Sequence, residues 1–315
     1  MKKNILITGG KGFVGSAIID YLYKSKYNIY GMVRNNFQNN FSNVRYWTLD
    51  DLLKLENKNF LLSIDTIIHA AGRAHIRFSF LKKNKDKLFN DNIKLTIKLA
   101  DIAIKNNIKR FIYISTAKVY GEETYNNNFF NENNKPNPIQ PYAISKYTAE
   151  LKLLEKLKNS STNLTIIRPP MIFGKVPKGN LKILIKAIKN NIPIPLSNTH
   201  NKRSFLSLKN LCLFIESILI HKIPSNSIYN ISDGIPISTK ELTETLGLAL
   251  NKKVRYLFIP DIILKLLLKL PIFSNMIKPL FKDYVIETIH NKKNLKKIPF
   301  ISTQKLISKY YSNVK

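Results

Sequence analysis

The chain has 315 residues, of which 44% are hydrophobic, so it can bury the core of one large domain or of two interlocked domains. It carries 51 lysines and arginines against 20 aspartates and glutamates, a formal net charge of +31. The basic residues are scattered among asparagines and isoleucines, without a basic stripe that contains interleaved aromatic residues. The charge therefore indicates a compositional bias on solvated faces, and no nucleic-acid partner is expected.

Several other classes of protein are disfavoured by simple sequence features. The apolar run after the first lysines, Ile5 to Ile7, is too short for a signal-peptide core, so a cytoplasmic location is expected. The single cysteine, Cys212, lies in an apolar run and is expected to be a buried thiol without a disulfide partner. No residues have metal-ligand spacing, so no metal is expected, and His69 is interpreted as a packed scaffold residue.

The first predicted element is a strand over Asn4–Thr8, which runs directly into Thr8-Gly-Gly-Lys-Gly-Phe-Val-Gly15 and then into a helical apolar period. Gly9 permits a tight turn, Gly12 lets the backbone approach a pyrophosphate, and Gly15 allows the helix to pack closely. The helix N-terminus supplies an anion site. This pattern predicts a dinucleotide-binding loop. Its predicted cofactor contacts are Gly9, Gly12, Phe13, Val14 and Gly15.

Further apolar runs alternate with helical stretches along the chain. The runs are Asn28–Val33, Val44–Thr48, Thr66–His69, Arg110–Ser115 and Leu164–Arg168. Strands that alternate with helices predict a parallel sheet covered on both faces, that is, an α/β doubly wound fold of the Rossmann type. Ligands bind such sheets at the carboxyl ends of the strands. The residues expected there include Thr8, Arg34, His69, Thr116 and Arg168.

A tyrosine and a lysine four residues apart, in Tyr142-Ala-Ile-Ser-Lys146, follow downstream on a helix that begins at Pro141. This spacing places the phenol and the ammonium on one helical face, where the positive charge is expected to lower the pKa of Tyr142. Alone, such a pair is usually a solvated helix pair. Together with Thr116 upstream and the glycine loop, it indicates hydride chemistry on a nucleotide cofactor.

The segments around this pair are also predicted. The apolar stripe of the helix is expected to be Tyr147, Leu151 and Leu154, with the tyrosine–lysine pair facing a cleft. The polar loop Asn126–Pro138 is expected at the mouth of the cleft, and the loop Asn35–Asn43 beside the adenosine end of the cofactor.

These motifs occur in one order: Thr8-Gly9-x-x-Gly12-Phe13-x-Gly15, His69-Ala-Ala-Gly72, Asn92, Ser115-Thr116 before Val119-Tyr-Gly121, Tyr142-x-x-x-Lys146 and Arg168-Pro169. In that order they resemble the extended short-chain dehydrogenase/reductases, the NAD-dependent epimerase/dehydratase group. The resemblance runs from Met1 to about Asp233. It implies a Rossmann domain over residues 1–170, to which residues 203–232 return, and a smaller interleaved substrate-binding domain over 171–202 and 233–315.

The resemblance also implies roles for individual residues. The catalytic residues would be Thr116, Tyr142 and Lys146. Tyr142 would exchange the proton of a sugar oxygen while the nicotinamide exchanges hydride with its carbon, the Thr116 hydroxyl would bind the same oxygen, and Lys146 would hold the ribose and lower the pKa of Tyr142. Further cofactor contacts would be Arg34, Asp50, Ala70, Ala71, Gly72 and Lys146. Substrate contacts would be Ser115, Asn180, Leu181 and Arg203, the last three on a UDP-sugar.

Two departures from the family pattern narrow the reaction. Relatives that dehydrate nucleotide sugars carry an Asp-Glu pair after the threonine, whereas this chain has Ala117 and Lys118, which disfavours 4,6-dehydration on acid/base grounds. NAD-preferring relatives place an acid after the second strand, whereas this chain has Arg34. An arginine can pair with a 2′-phosphate, so NADP is as acceptable as NAD, or it can stack on adenine without a phosphate.

The sequence is compatible with more than one reaction and with more than one state of assembly. Local motifs are similar to a subgroup that contains UDP-4-keto-6-deoxy-N-acetylglucosamine 4-reductases and UDP-hexose 4-epimerases. We favour an NADPH-consuming reductase in polysaccharide biosynthesis, with an epimerase that keeps NAD as the alternative. A family asparagine is replaced by Met171, and Arg255 is a candidate for a late phosphate contact. A homodimer, a non-catalytic subunit and a membrane-surface contact through the apolar segment Tyr256–Phe273 are further hypotheses.

Overall fold

A computed structural model describes the chain except for residues 1–2, 26, 36–42, 49, 52–58, 73–84, 126–127, 197–198, 222–225, 261–279, 288–297 and 313–315. Most of the predicted adenosine loop Asn35–Asn43 and of the apolar segment Tyr256–Phe273 therefore lies outside the described residues. Among the helices that are described, none is long and apolar enough to cross a membrane.

The main element of the fold is a seven-stranded, all-parallel sheet with the strand order β3-β2-β1-β4-β5-β6-β9. The predicted strands are confirmed, each with ends within one residue of the expected bounds. The strands of this sheet are β1 Lys3–Thr8, β2 Tyr27–Val33, β3 Val44–Thr48, β4 Thr66–His69, β5 Arg110–Ile114, β6 Asn163–Arg168 and β9 Ser227–Asn230.

Eight α-helices are present in the described part of the chain, with one 3₁₀ turn at Ala117–Tyr120. They are α1 Phe13–Leu22, α2 Asn59–Leu62, α3 Lys85–Lys105, α4 Pro141–Leu157, α5 Gly179–Lys189, α6 Leu208–Ile220, α7 Thr239–Ala249 and α8 Thr303–Tyr311. The inner strands are buried along almost their whole length, as expected of a parallel sheet with helices on both faces. The predicted α/β doubly wound class is confirmed.

The strand order reverses at β1, which lies between β2 and β4. The chain builds outward from β1 to β2 and β3, then crosses back to β4 and builds outward in the other direction. At such a switch point the carboxyl ends of two neighbouring strands leave a crevice for a ligand. Thr8 and His69 are paired in register at these two strand ends.

Two compact units divide the chain. The first unit comprises Met1–Gly121, Glu132–Pro169 and Phe214–Asn230, and the second comprises Glu122–Asn131, Pro170–Leu213 and Ile231–Lys315. Within the stretch 203–232, the strand that joins the central sheet is β9, which pairs with β6. The strand β8 Phe205–Ser207 instead pairs with β7 Met171–Phe173 in a separate two-stranded sheet of the second unit.

Each unit has its own apolar core. In the first unit, residues of β1, β4, β5 and β6 pack with the inner faces of α3 and α4. In the second unit, α5, α7 and α8 pack around β7 and β8. The predicted buried thiol is confirmed, because the Cys212 side chain is 3% exposed.

The apolar stripe predicted for α4 is wrong for Leu151 and only partly right for Leu154, which packs against the edge of the core. Leu151 is 47% exposed, and Tyr147 and Leu154 are only partly buried. The buried face is Ala143, Ser145, Lys146, Ala149, Glu150, Leu153 and Leu157. Two alanines allow close packing on this face, and its two ionisable side chains have buried partners, the Ile114 carbonyl for Lys146 and Arg168 for Glu150. A stripe chosen by hydrophobicity alone therefore lies about one position around the helix from the true one.

Candidate active site

The glycine-rich loop between β1 and α1 is shaped by close backbone approaches. Gly9 has a φ of +72°, and a Cβ there would lie 3.0 Å from the Cα of Ala71. The Gly12 amide donates to the Gly9 carbonyl at 2.7 Å, and a side chain at Gly15 would collide with that same carbonyl. Gly12 also precedes α1 and brings no capping side chain to its N-terminus, the end of a helix that attracts an anion. This loop fits the pyrophosphate of a dinucleotide.

The predicted contacts with the adenosine half lie at the ends of neighbouring strands. Arg34 is exposed and directly follows β2, and Asp50 is exposed two residues after β3. Ala70 and Ala71 are partly buried after β4, and Gly72 is exposed. The Ala71 backbone packs on Gly9, so the β4 end and the glycine loop are brought together. The roles of Arg34 and Asp50 stay predictions.

A directed chain of hydrogen bonds fixes the β4 end. The Thr96 hydroxyl donates to the Asn92 carbonyl at 2.8 Å, so it accepts from Nε2 of His69 at 2.9 Å. The other ring nitrogen, Nδ1, is then an acceptor for the Thr8 hydroxyl at 2.6 Å, and the Thr8 oxygen accepts the Ala71 amide at 3.1 Å. The interpretation of His69 as a scaffold residue is confirmed.

The charge state of His69 agrees with this hydrogen-bond chain. Burial, together with the nearby charge of Lys146, lowers the pKa of His69 well below its ordinary value. The ring is therefore neutral at neutral pH, with its proton on Nε2. A neutral ring can accept from Thr8 and donate to Thr96 at the same time.

Lys146 lies in a buried cage at the centre of the first unit. Its ammonium donates to the Ile114 carbonyl at 2.8 Å and lies 4.6 Å from the centre of the Tyr113 ring. It also lies 3.1 Å from the position of a Cβ on Gly72, which places it beside the β4 end. Burial lowers the pKa of Lys146 to about 8, and the charge of Glu150 opposes that shift.

Tyr142 does not have the low pKa that was predicted from its spacing to Lys146. Burial raises the pKa of Tyr142 to about 12, so desolvation is the dominant effect on the half-buried side chain. The ammonium of Lys146 is directed to the Ile114 carbonyl and the Tyr113 ring instead. Tyr142 is therefore a neutral phenol near neutral pH, ready to donate a proton.

Thr116 begins the 3₁₀ turn after β5 and is 8% exposed. Its hydroxyl oxygen accepts the Lys118 amide at 3.3 Å, which leaves the hydroxyl hydrogen available for another acceptor. The main chain on either side is anchored, since the Ser115 amide donates to the Ile167 carbonyl and the Ala117 amide to the Pro169 carbonyl, each at 2.8 Å.

A buried polar network that sequence reasoning missed lies behind these residues. Glu150, on α4, accepts from the Ser115 hydroxyl and forms an ion pair with Arg168 at 2.5 Å. Arg168 also donates to the Tyr120 hydroxyl at 2.8 Å, which in turn donates to Asn230. The available signal was an acid four residues after Lys146 on the same helical face. A contact of Ser115 with substrate stays a prediction, because the structure gives its hydroxyl a protein acceptor.

The substrate residues predicted in the second unit are Asn180, Leu181 and Arg203. Asn180 is partly buried in the first turn of α5. The Leu181 side chain is 2% exposed and lies in the core of this unit, so only its backbone is available to a ligand. Arg203 donates to the Lys282 carbonyl at 2.9 Å, and its guanidinium lies 5.8 Å from the Tyr284 ring centre. Their contacts with substrate stay predictions.

The switch-point loop and the residues Thr116, Tyr142 and Lys146 define a dinucleotide-dependent enzyme of the short-chain dehydrogenase/reductase class. The chain belongs to the NAD dependent epimerase/dehydratase family, whose model matches residues 5–232. The predicted family is thereby confirmed, and its cofactor is NAD or NADP.

Curated relatives and solved structures agree with this assignment. The chain is 32% identical over 297 residues to a UDP-glucose 4-epimerase of Vibrio cholerae, covering 94% of this chain and 90% of the relative. It also matches a UDP-N-acetylglucosamine 4-epimerase from Bacillus cereus, with a TM-score of 0.76, 20% identity and 98% of both chains covered. A UDP-glucuronic acid 4-epimerase of that organism, in complex with NAD, gives a TM-score of 0.75 at 20% identity, over 98% of this chain and 96% of that one. These two structures show the fold alone.

Proposed function

We propose that the protein is a nucleotide-sugar 4-epimerase that removes hydride from C4 of a UDP-hexose and returns it to the opposite face. The observation that carries the proposal is the retained set of Thr116, Tyr142 and Lys146 in the first unit, without carboxylates at Ala117 and Lys118. This set serves hydride transfer at an alcohol carbon but lacks the acids for dehydration. The 32% identity to a 4-epimerase supports it.

The residues that would hold the cofactor are those of the glycine loop and the β4 end. Gly9, Gly12 and Gly15 would accommodate the pyrophosphate, and Ala71 and Gly72 would border the nicotinamide half beside Lys146. NAD or NADP bound there supplies the hydride acceptor and donor. Lys146, a buried ammonium next to Gly72, would bind the ribose hydroxyls.

The remaining chemistry is proton transfer at the O4 oxygen. When hydride leaves C4, the O4 hydroxyl loses its proton and a carbonyl forms; when hydride returns, the oxygen regains a proton. Tyr142 would exchange that proton, and the free hydroxyl hydrogen of Thr116 would bind the same oxygen. Since burial keeps Tyr142 protonated, its donor role fits the return step directly. To take the O4 proton in the first step Tyr142 would have to be a phenolate, which a positive charge on Lys146 one turn along α4 would favour.

Contacts with the nucleotide part of the substrate would come from the second unit. Asn180 and the Leu181 amide, in the first turn of α5, would bind uracil or phosphate. Arg203 would bind the diphosphate.

A second candidate function is the NADPH-dependent reduction of a UDP-4-keto-6-deoxy-N-acetylhexosamine. It is favoured by Arg34, which is exposed at the β2 end, where an acid would favour NAD. A reductase would consume an exchangeable cofactor, whereas an epimerase keeps NAD bound and shows no net oxidation.

The deciding experiment uses the purified full-length protein. Denatured samples are analysed for released NAD or NADP, and the native protein is incubated with UDP-glucose and UDP-N-acetylglucosamine without added cofactor. The epimerase predicts bound NAD and formation of the C4 epimer. NADPH oxidation that depends on a UDP-4-keto sugar, without epimer formation, would instead establish the reductase. Tyr142→Phe is the matched inactive control for both assays.

A further inference from the structure

The proposed function does not use the buried carboxylate of Glu150. Its side chain is 0% exposed, and it accepts hydrogen bonds from the Ser115 hydroxyl and from Arg168. A buried carboxylate is costly unless it is paired, and replacing such a pair with apolar groups is often neutral for stability. Packing alone therefore gives no reason for a charge at this position.

The position of Glu150 links the two elements that carry the candidate catalytic residues. It lies one helical turn after Lys146 on the buried face of α4. Its hydrogen-bond donor, Ser115, is the residue directly before Thr116. The carboxylate thus contacts the loop of Thr116 and lies on the same face of α4 as Lys146.

We propose that Glu150 is a positioning residue for hydride transfer, which holds Thr116 through the Ser115 hydroxyl and sets a negative charge against the buried ammonium of Lys146. This inference rests on the proposed function, because it assumes that Thr116 and Lys146 act in turnover. Arg168 holds the carboxylate from β6, and Tyr120 on the 3₁₀ turn holds the guanidinium of Arg168.

The effect of the Glu150 charge on the pKa of Lys146 depends on the other charged and titratable groups that face the network. The titratable and charged groups there are His69 on β4, Tyr113 on β5, Tyr120 on the 3₁₀ turn, Tyr142 and Lys146 on α4, Arg168 on β6, and Glu132, whose charge acts on Tyr120. Among these described neighbours His69 is neutral and the tyrosines have raised pKa values, so Glu150 is the anion that favours the charged form of Lys146. Without it, burial would lower the pKa of Lys146 further below about 8.

The test compares three single variants of the full chain. Glu150→Gln removes the charge and keeps the shape, whereas Ser115→Ala removes the hydrogen bond and keeps the ion pair. Glu155→Gln is the matched control on the same helix, where the exposed carboxylate pairs with Lys152. The dependence of kcat and KM on pH is measured for each, and folding is checked by circular dichroism.

We expect Glu150→Gln to lower kcat by roughly 10- to 100-fold with KM changed less than about threefold, as for displaced catalytic groups. Because Lys146 must keep its proton, the alkaline loss of kcat should move to lower pH by about one unit. Ser115→Ala should lower kcat without moving the pH at which kcat is lost on the alkaline side, which is the alkaline limb of the profile. Glu155→Gln should change neither kcat nor this alkaline limb. A folded Glu150→Gln variant with wild-type kcat and an unmoved limb would overturn the proposal.

Two further measurements keep the test decisive. If Glu150→Gln does not fold, the double variant Glu150→Leu with Arg168→Met removes both charges together. Its alkaline loss of kcat should move to lower pH in the same way. An unmoved alkaline limb with wild-type kcat overturns the proposal. The Lys146 pKa is also followed by NMR of lysine labelled at Cε, with the signal assigned through Lys146→Met. This titration should fall in Glu150→Gln even if no sugar tested is a substrate, so failure of the proposed function is distinguishable from failure of the Glu150 role.

Discussion

At the residue scale, the acid/base chemistry that we propose depends on the phenol of Tyr142, whose pKa is raised to about 12 by burial. Tyr142→Phe removes the exchangeable proton and leaves the ring in place. We expect turnover to fall by roughly two to four decades, as for the loss of a general acid/base. Single-turnover assays measure the loss, and fluorescence titration should show nearly unchanged cofactor binding. Retention of more than half of the activity would exclude Tyr142 from this role.

Arg34 provides a test of cofactor choice. Arg34→Asp should weaken NADPH binding more than NADH binding by about 1 to 3 kcal/mol if its guanidinium pairs with the 2′-phosphate. Fluorescence titration with each cofactor gives the two affinities. Arg45→Asp, an exposed arginine on β3, is the control for a general charge effect. Equal losses for both cofactors would instead indicate stacking on adenine.

Individual residues show where sequence reasoning succeeded and where it could not. The spacing between Tyr142 and Lys146 was readable because it depends only on helical periodicity. The pKa of Tyr142 could not be predicted from the sequence, because it is determined by burial, which arises from packing of distant segments. Glu150 was missed for the same reason: its partners, Ser115 and Arg168, are 35 and 18 residues away in the chain.

At the element scale, the chain of hydrogen bonds from Thr8 on β1 through His69 on β4 to Thr96 on α3 makes a prediction about stability. Thr8→Val keeps the volume of this fully buried side chain but leaves the Ala71 amide and Nδ1 of His69 without their partner. We expect a loss of about 2 to 4 kcal/mol in the free energy of unfolding, from two unsatisfied buried groups. Urea denaturation measures it. The same change at Thr66, at the other end of β4, should cost less than half as much.

The same chain of hydrogen bonds predicts that the protein loses stability in acid. The folded pKa of His69 lies well below its unfolded value of 6.5, so the unfolded chain binds a proton that the folded chain does not. Stability should therefore fall as pH decreases below about 6.5, by up to about 1.4 kcal/mol per pH unit. Unfolding curves from pH 7 to 5 test this, and His69→Gln should flatten the dependence. An equally steep curve in that variant would assign the effect to other groups.

The elements themselves were largely predictable. Continuous runs of β-branched residues predicted the inner strands, because a strand buried on both faces has no polar alternation. The face of α4 was misjudged because two ionisable side chains, Lys146 and Glu150, are buried on it, against the rule that apolar residues are buried. The short strands β7 and β8 were not foreseen, since three residues give too little periodicity to detect.

At the scale of the whole molecule, the formal net charge of +31 should affect the encounter with anionic ligands. A nucleotide sugar and a dinucleotide are both negatively charged, so a strongly basic protein attracts them at low ionic strength. We expect KM for the UDP-sugar to rise several-fold between roughly 20 and 300 mM salt, with kcat nearly constant, because screening shortens the range of attraction. Steady-state kinetics in KCl series test this. A constant KM would show that the excess charge lies away from the site.

The second unit was the least predictable part of the whole. Its core combines side chains of Pro170–Leu213 with side chains of Ile231–Lys315, and the family model ends at residue 232, before most of the latter segment. Its specific pairings, such as Asn210 and Thr303 on the buried Asp233, join residues that no local pattern connects.

The division of both units among separate chain segments has a consequence for biosynthesis on the ribosome. A nascent chain that has emerged as far as residue 232 contains the complete central sheet, but Leu181, Leu184 and Phe205 still lack the apolar partners Leu242, Leu246 and Ile307. Until the last quarter of the chain is made, these side chains remain exposed apolar surface of the kind that chaperones bind. A premature stop near residue 232 would therefore yield an aggregation-prone fragment rather than a smaller dinucleotide-binding protein.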